Sequence, residues 1–493
     1  MQDYKKLLID IESPVSEALT KLDVEGTEVV FIVDGDVLKG SLTNGDIRRA
    51  LASGSTNRAS ISDFMNPNPQ FILENASPVD TYRAFSKGVT CIPILKTNRV
   101  VVDVLFKSES RTIPIAEPNL SSREIELVNE TLASNWISSS GIYVQEFEDA
   151  FSKYINSKYV LSVCNGTQAI ALALAALEIK PGDEVIVPAL TFGATANAVI
   201  QVGAVPVFAD VDDSTLGLSL ETIEAKVTSK TKAILIVHLY GRPSDLDEIL
   251  NFSKSRGILV VEDCAEAIGT TYKNIHVGTQ SDAGTFSFFA NKTITTGEGG
   301  MVCFRDRHAF EKAKLIRSHG FDPKNRYWHL TWGTNMRLTN MQAAIGVGQM
   351  ERIHELVSAK RKIAEVYDEL VAANIPTHFR NRNTTHLIGD SYWLYILEFA
   401  ETVDIDALIL YLSERRIETR RVFTPLNLQP AFEHYIPPGA IFPISQQKFD
   451  YGICLPSSTK LKLVDQVEVI EGIKNYLSMT AQTNTVKVGR KEE

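Results

Sequence analysis

The chain is expected to fold as α/β. A mostly parallel sheet with helices on both faces should be followed by a smaller C-terminal α+β domain and preceded by a small α/β module. Three observations carry this expectation. Seven short apolar runs between residues 159 and 304 alternate with helical stretches, and fully apolar runs of that length are what strands covered on both faces require. A polar segment, Lys107-Ser108-Glu109-Ser110-Arg111-Thr112, sets them apart from an N-terminal stretch in which a strand-turn-strand pattern occurs twice. A long periodic segment from Gln342 to about Ala373 marks the passage from the sheet to the smaller part. At 493 residues the chain is too long for one core. The expected domains are 1–107, 113–360 and 361–479, with a disordered polar tail over 480–493.

In the first module Glu28 to Val33 reads as a strand, Asp34-Gly35-Asp36 as a hairpin turn and Val37 to Leu42 as the return strand. A helix over Asp46 to Ala52 follows. A looser second copy has a helix at Pro78 to Phe85 and strands at Cys91–Leu95 and Val100–Leu105, so an internal repeat is expected. The next domain opens with Ser121 and Glu124, spaced as a capping box. Its strands are expected at Tyr159–Cys164, Glu184–Pro188, Val205–Val211, Ala233–His238, Ile258–Asp263, Gly284–Phe288 and Gly300–Phe304. The smaller part should hold the strand Ser391–Phe399 and the helices Asp404–Arg415 and Leu463–Leu477.

Composition narrows the function. A net charge of −10 without a Lys/Arg block argues against nucleic-acid binding. No apolar run reaches membrane-spanning length, and no signal-like segment follows Met1. The five cysteines are scattered without metal-ligand spacing. A cytoplasmic enzyme with no metal, no membrane partner and no nucleic-acid partner is the expectation.

The chemistry concentrates where strands end, which is where ligands sit in such sheets. In Cys164-Asn165-Gly166-Thr167-Gln168 a strand turns at once into a helix. Gly166 permits close approach, and Thr167 stands where free amides and the helix dipole favour a phosphate; simple N-capping is the competing reading. Phe192 follows the next strand and can cover a flat ring or pack in the core. In Glu262-Asp263-Cys264-Ala265-Glu266, Asp263 can hold a protonated ring nitrogen with Glu266 nearby, or the acids can cap a helix. Ser287 offers a hydroxyl, and Lys292 presents an amine between the apolar Phe286–Phe289 run and a Thr/Gly-rich turn. Together these are the groups that pyridoxal phosphate needs.

Four stretches resemble the DegT/DnrJ/EryC1/StrS family of sugar aminotransferases, which have the pyridoxal-phosphate fold type I. They are Asn165–Thr167, Pro188–Phe192, Glu262–Ala267 and Lys292–Gly300. The resemblance implies Lys292 as the Schiff-base and catalytic lysine and Asp263 at the pyridinium. It implies Gly166, Thr167 and Ser287 at the phosphate, Phe192 on the ring and Glu266 near the cofactor hydroxyl. Asn335 would reach the phosphate in the neighbouring subunit, making a homodimer with shared sites, and CBS pairs can join dimers into tetramers. His329 is a candidate for the substrate side.

Phe288–Thr293, Tyr327–His329 and Asn335–Ala344 resemble the branch that aminates GDP-4-keto-6-deoxymannose with L-glutamate. UDP- or dTDP-linked keto sugars aminated at C-4 or C-3 are the alternative acceptors. Ala290, Phe192 and Met336 depart from common residues of that branch, which leaves the sugar open. A lysine at 292 argues against the related C-3 dehydratase, which calls for histidine there.

Gly40 to Ala50 resembles a CBS-domain module. That implies Thr43 and Asp46 at the phosphate and ribose of an adenine or guanine nucleotide. The second half has no matching Thr-x-x-Asp after its last strand, so at most one site is expected; packing or assembly is the alternative. A regulatory protein with an idle catalytic half is the reading from another class.

Overall fold

The computed structural model describes residues 4–85, 89–106, 112–325, 327–377, 389–399 and 403–489. Most of the expected linker (107–111) and the end of the expected tail (490–493) lie outside the described residues. The chain divides into two compact units. One comprises Met1–Arg111, Asp368–Ile375 and Lys462–Glu493; the other comprises Thr112–Tyr367 and Pro376–Leu461.

The first unit holds two three-stranded sheets of like construction. In one, β1 (Leu8–Asp10) pairs in parallel with β2 (Val29–Asp34), which pairs antiparallel with β3 (Val37–Thr43). In the other, β4 (Ile72–Leu73), β5 (Cys91–Leu95) and β6 (Val101–Phe106) repeat that order. The hairpins of the repeat are those expected; β1 and β4, at three and two residues, are too short to carry a periodic signal. Val30 and Ile32 join one apolar core and Phe31 and Val33 another, because alternate residues leave a strand on opposite faces.

The closing helix runs Leu463–Gly489 and packs against Pro78–Phe85. It therefore passes Leu477 and enters the tail expected to be disordered. No glycine or proline interrupts residues 478–488, so a nucleated helix can continue turn by turn.

The second unit is built on a seven-stranded sheet. Its strands are β7 (Tyr159–Val163), β8 (Glu184–Pro188), β9 (Val205–Ala209), β10 (Thr231–Val237), β11 (Leu259–Asp263), β14 (Ala283–Ser287) and β15 (Gly300–Phe304). The spatial order is β7-β15-β14-β11-β10-β8-β9. Only β15 runs against the rest. A small hairpin, β12 (Thr271–Tyr272) and β13 (Ile275–His276), lies between β11 and β14. A further antiparallel sheet contains β16 (Tyr395–Glu398), β17 (Arg420–Arg421) and β18 (Gly452–Leu455), of which only β16 was expected.

The long helix expected from Gln342 is two helices, Asn340–Glu351 and Ile353–Asn374. The break is at Arg352 (φ −115°, ψ 9°), whose guanidinium is tied to Glu355 and to the Asn119 carbonyl. Before the break, a Cβ on Gly346 would stand 2.8 Å from the Phe147 ring. The first helix is thus held at close range, and the second departs from the break.

Candidate active site

The carboxyl ends of β7, β8, β11 and β14 surround one cleft of about 480 Å³. Asp263 ends β11 and is 5% exposed. Its carboxylate accepts from the Thr195 hydroxyl at 2.9 Å and from the Ala265 N–H at 3.1 Å. Burial pushes its carboxyl up, against the pull of these two donors and of Lys292. Glu266, in the loop beyond, is equally buried and accepts the Tyr240 N–H at 2.9 Å. Burial raises it too, opposed by the Lys292 cation. Lys292 Nζ stands 3.4 Å from Glu266 Oε1 and 3.8 Å from the centroid of the Trp393 ring.

At the other end of the cleft the backbone closes tightly. The helix Gly166–Ala176 begins directly after β7, and the Asn165 side chain caps it by accepting the Gln168 N–H. Asn165 thus takes the capping role, and Thr167 lines the cleft with Gly166. A Cβ on Gly166 would lie 2.8 Å from Ser287 Cβ, and one on Gly300 2.6 Å from the Asn165 backbone. Glycine at both positions lets a helix N-terminus and the Ser287 hydroxyl share one corner, a fitting seat for a phosphate. Phe192 is 61% exposed and lines the same cleft, facing Phe423 at 5.8 Å.

Gly166, Thr167, Phe192, Asp263, Glu266, Ser287 and Lys292 are therefore brought together around one cleft. Asn335 and His329 are not. Both are exposed outside this cleft, with Asn335 Oδ1 accepting the Arg337 N–H and His329 bonded to the His319 carbonyl. Sequence reasoning missed Thr195, Trp393, Arg420 and Phe423, which orient Asp263 or line the cleft. Thr195 is the second residue of the helix Ala194–Gln201, directly after the strand-end stretch that holds Phe192, and a hydroxyl at that place is a signal of the same kind as Thr167. Trp393 and Arg420 come from a distant stretch with no local signal.

Glu262 turns the other way. It receives His238 Nε2 at 2.9 Å, the Gly278 N–H at 2.7 Å and the Ser281 hydroxyl at 2.7 Å. His238 Nδ1 accepts the Ser244 N–H, which places the ring proton on Nε2. Burial works to raise Glu262, but these donors prevail and its carboxyl lies below the usual range. With Cys264 the pair forms a buried trio at metal-binding distance. The hydrogen bonds already occupy the His and Glu atoms that would ligate.

The first unit has its own cleft of about 480 Å³, lined by Thr43, Asn44, Gly45 and Arg48 among others. Thr43 and Asp46 form a capping box on the helix Asn44–Ala52: the Thr43 hydroxyl donates to Asp46 Oδ2 at 2.6 Å, and the Asp46 N–H donates back at 3.2 Å. Arg49 also pairs with Asp46.

The residues of the Lys292 cleft fit pyridoxal phosphate. A buried acid awaits a cationic ring nitrogen, the Gly166 corner is too tight for any Cβ, and the Asn291 amide oxygen in the lining is buried without a partner in the described structure. A cleft of this charge at this edge of such a sheet defines the fold type I class of pyridoxal-phosphate enzymes. Residues 118–474 match the model of the DegT/DnrJ/EryC1/StrS aminotransferase family. The chain is 42% identical over 367 residues to the GDP-perosamine synthase of Escherichia coli O157:H7, covering 74% of this chain and 99% of that protein. It is 41% identical over 370 residues to that of Vibrio cholerae, with the same coverage. The PLP form of Streptococcus pneumoniae Spr1654 superposes with a TM-score of 0.69 at 29% identity, covering 74% of this chain and 98% of that one.

The chain belongs to the DegT/DnrJ/EryC1/StrS aminotransferase family, and it is a pyridoxal-phosphate-dependent sugar aminotransferase. No described helix is long and apolar enough to cross a membrane.

Proposed function

We propose that the enzyme transfers the amino group of L-glutamate to C-4 of GDP-4-keto-6-deoxymannose, forming GDP-perosamine. The observation that carries the chemistry is the placement of Lys292 Nζ beside Glu266 in a cleft floored by buried Asp263. The identity of 41–42% to two proteins named GDP-perosamine synthase supports the acceptor. Bound pyridoxal phosphate supplies an electron sink for the donor's Cα–H bond pair. Lys292 would take the proton from that carbon and deliver it to the cofactor's C4′. Asp263, oriented by Thr195 and Ala265, holds the ring nitrogen in its cationic form. Gly166, Thr167 and Ser287 seat the phosphate, Phe192 covers the ring, and Glu266 stands near the cofactor hydroxyl.

Asn335 and His329 lie outside the single-chain cleft, in keeping with a role at a site shared between two subunits. We assign Asn335 to the neighbouring subunit's phosphate and His329 to the sugar side, in a homodimer that the N-terminal unit can join into a tetramer. The repeated sheets of that unit support its reading as a CBS pair binding an adenine or guanine nucleotide through Thr43 and Asp46. The expected domain limits (1–107, 113–360, 361–479) belong to the same proposal, as does a cytoplasmic location, which five free cysteines support.

The test is a mass-resolved assay with pyridoxal phosphate, L-glutamate and the GDP-, UDP- and dTDP-linked keto sugars. Amino sugar from the GDP substrate alone is the expected result; product from another nucleotide only would overturn the acceptor while leaving the transamination. The Lys292→Ala variant should lose turnover, and sustained catalytic amination by it would overturn the site assignment.

A further inference from the structure

Trp393 enters the cleft from the smaller part of the second unit, and all its polar atoms are engaged. Its backbone N–H donates to the Tyr240 carbonyl at 3.1 Å. Its indole Nε1 donates to the carbonyl of Asn291, the residue before Lys292, at 2.8 Å. Its own carbonyl accepts from Lys360 Nζ at 2.9 Å. The ring lies nearly parallel to Tyr240 (5.9 Å, 11°), and Tyr240 in turn stacks on Phe423 (5.2 Å, 22°). Lys292 Nζ stands over the indole ring, 3.8 Å from its centroid. Glu266, whose carboxylate is fixed by the Tyr240 N–H, also meets that amine. One stacked wall thus sets both contacts of the amine, the anion and the ring.

Lys360 is the unusual part of this wall. It is 3% exposed, and its Nζ bonds are to two carbonyls, Trp393 O and Ser457 O, the second at 2.6 Å. Burial, with the charge of Lys292 adding to it, brings its amine down to about 7. An apolar side chain would fill the same space without this desolvation cost. What the amine adds is a two-pronged tie between the segment just before β16 that carries Trp393 and the segment just after β18 that carries Ser457. Ser457 Oγ accepts the Tyr395 N–H two residues beyond Trp393, so the tie is doubled.

We propose that Trp393 is a positioning residue for Lys292, its indole face holding the amine and its Nε1 fixing the preceding backbone, and that Lys360 locks Trp393 in register. Leucine or phenylalanine at 393 separates the two functions, since phenylalanine keeps a ring face and loses the bond to Asn291. Losing the ring face and the backbone bond releases the amine from its aim into the cleft, a loss of preorganisation expected to weaken lysine-bound cofactor by about tenfold.

The inference rests on the assignment of Lys292 above, and a double-mutant cycle separates the two. Pyridoxal phosphate affinity would be measured by equilibrium dialysis, and the lysine-bound cofactor by visible absorption, for Trp393→Leu, Trp393→Phe and Lys360→Met. Each would be made in the natural chain and in Lys292→Ala, with thermal unfolding recorded for all. Trp393→Leu should weaken the cofactor about tenfold in the natural chain and less than twofold in Lys292→Ala. Trp393→Phe should fall between, and Lys360→Met should lose about threefold in the natural chain alone. Equal weakening in both backgrounds would overturn the proposal, because Trp393 would then act on the cofactor or the fold and not through Lys292. An unchanged Lys360→Met would overturn the locking role. Should leucine at 393 prevent folding, the phenylalanine cycle decides by the same criterion. Lysine-type absorption persisting in Lys292→Ala would instead sink the assignment of Lys292 itself.

Discussion

Glu262 and Asp263 occupy consecutive positions at the end of β11, so their side chains leave the sheet on opposite faces. Both are buried, and burial penalises the charge of each. Glu262 meets a histidine, two backbone amide donors and a serine hydroxyl, and its carboxyl is held low. Asp263 meets one hydroxyl and one amide on the side of the cleft, and its carboxyl stays high. A fully satisfied buried acid belongs to the framework. An incompletely satisfied one facing a cleft has interaction energy left for a ligand. Motif reading singled out Asp263 of this pair and gave Glu262 no role; the pleat of the strand turns the two to opposite faces and supplies one.

The comparison is broken most directly at Glu262. Glu262→Ala strands His238 and the Gly278–Ser281 loop without their acceptor, and is expected to cost about 3–5 kcal/mol, as removing one partner of a buried pair does. Denaturant unfolding would measure it. A loss under about 1 kcal/mol would mean the network contributes little to the fold. Asp263→Asn should have the complementary profile. The donor half-reaction should slow by about 10²–10³, the range for losing a placed electrostatic partner. Stopped-flow absorbance with L-glutamate would read this directly, and a rate within threefold of the natural chain would remove Asp263 from the chemistry.

The two acids should also give opposite pH slopes to the cofactor-free protein. Glu262 is lower in the folded state than its unfolded value of 4.5. Its contribution is present above that pH and lost as pH falls through the folded value. Asp263 is higher in the folded state than its unfolded value of 3.8. Its ionisation therefore costs stability as pH rises from 3.8 through the raised value. Asp263→Asn should raise the melting temperature at neutral pH, and the gain should vanish toward pH 4. A gain independent of pH would mean the substitution acts through packing and not through charge.

Much of the Lys292 cleft was legible in the sequence because its parts are local. Gly166 and Thr167, Asp263 and Glu266, and Ser287 and Lys292 each lie within a few residues of a strand end, and a parallel sheet brings strand ends together whatever the loops do. The wall was not legible. Trp393 reaches Lys292 across about a hundred positions, and Lys360 reaches Trp393 from a helix whose own pattern is ordinary amphipathic periodicity. The break at Arg352 was hidden for a related reason: apolar spacing continues across it, and the tie to Asn119 that fixes it is tertiary.

The smallest effect should come from Thr43, and it bears on whether the second cleft resembles Asp263 or Glu262. The Thr43 hydroxyl already donates to Asp46, whose carboxyl burial would raise but which Thr43 and Arg49 bring below its usual value. A nucleotide phosphate would have to compete for that hydrogen. Thr43→Ala should cost about 1 kcal/mol through the lost cap and leave sugar amination unchanged, while Thr43→Ser should retain the cap. Titration calorimetry with adenine and guanine nucleotides would follow both variants. Binding lost in Thr43→Ala and kept in Thr43→Ser would show that the cap hydroxyl serves the ligand as well as the helix. Binding equal in all three chains would place Thr43 with Glu262, as a group whose bonding capacity the fold has already used.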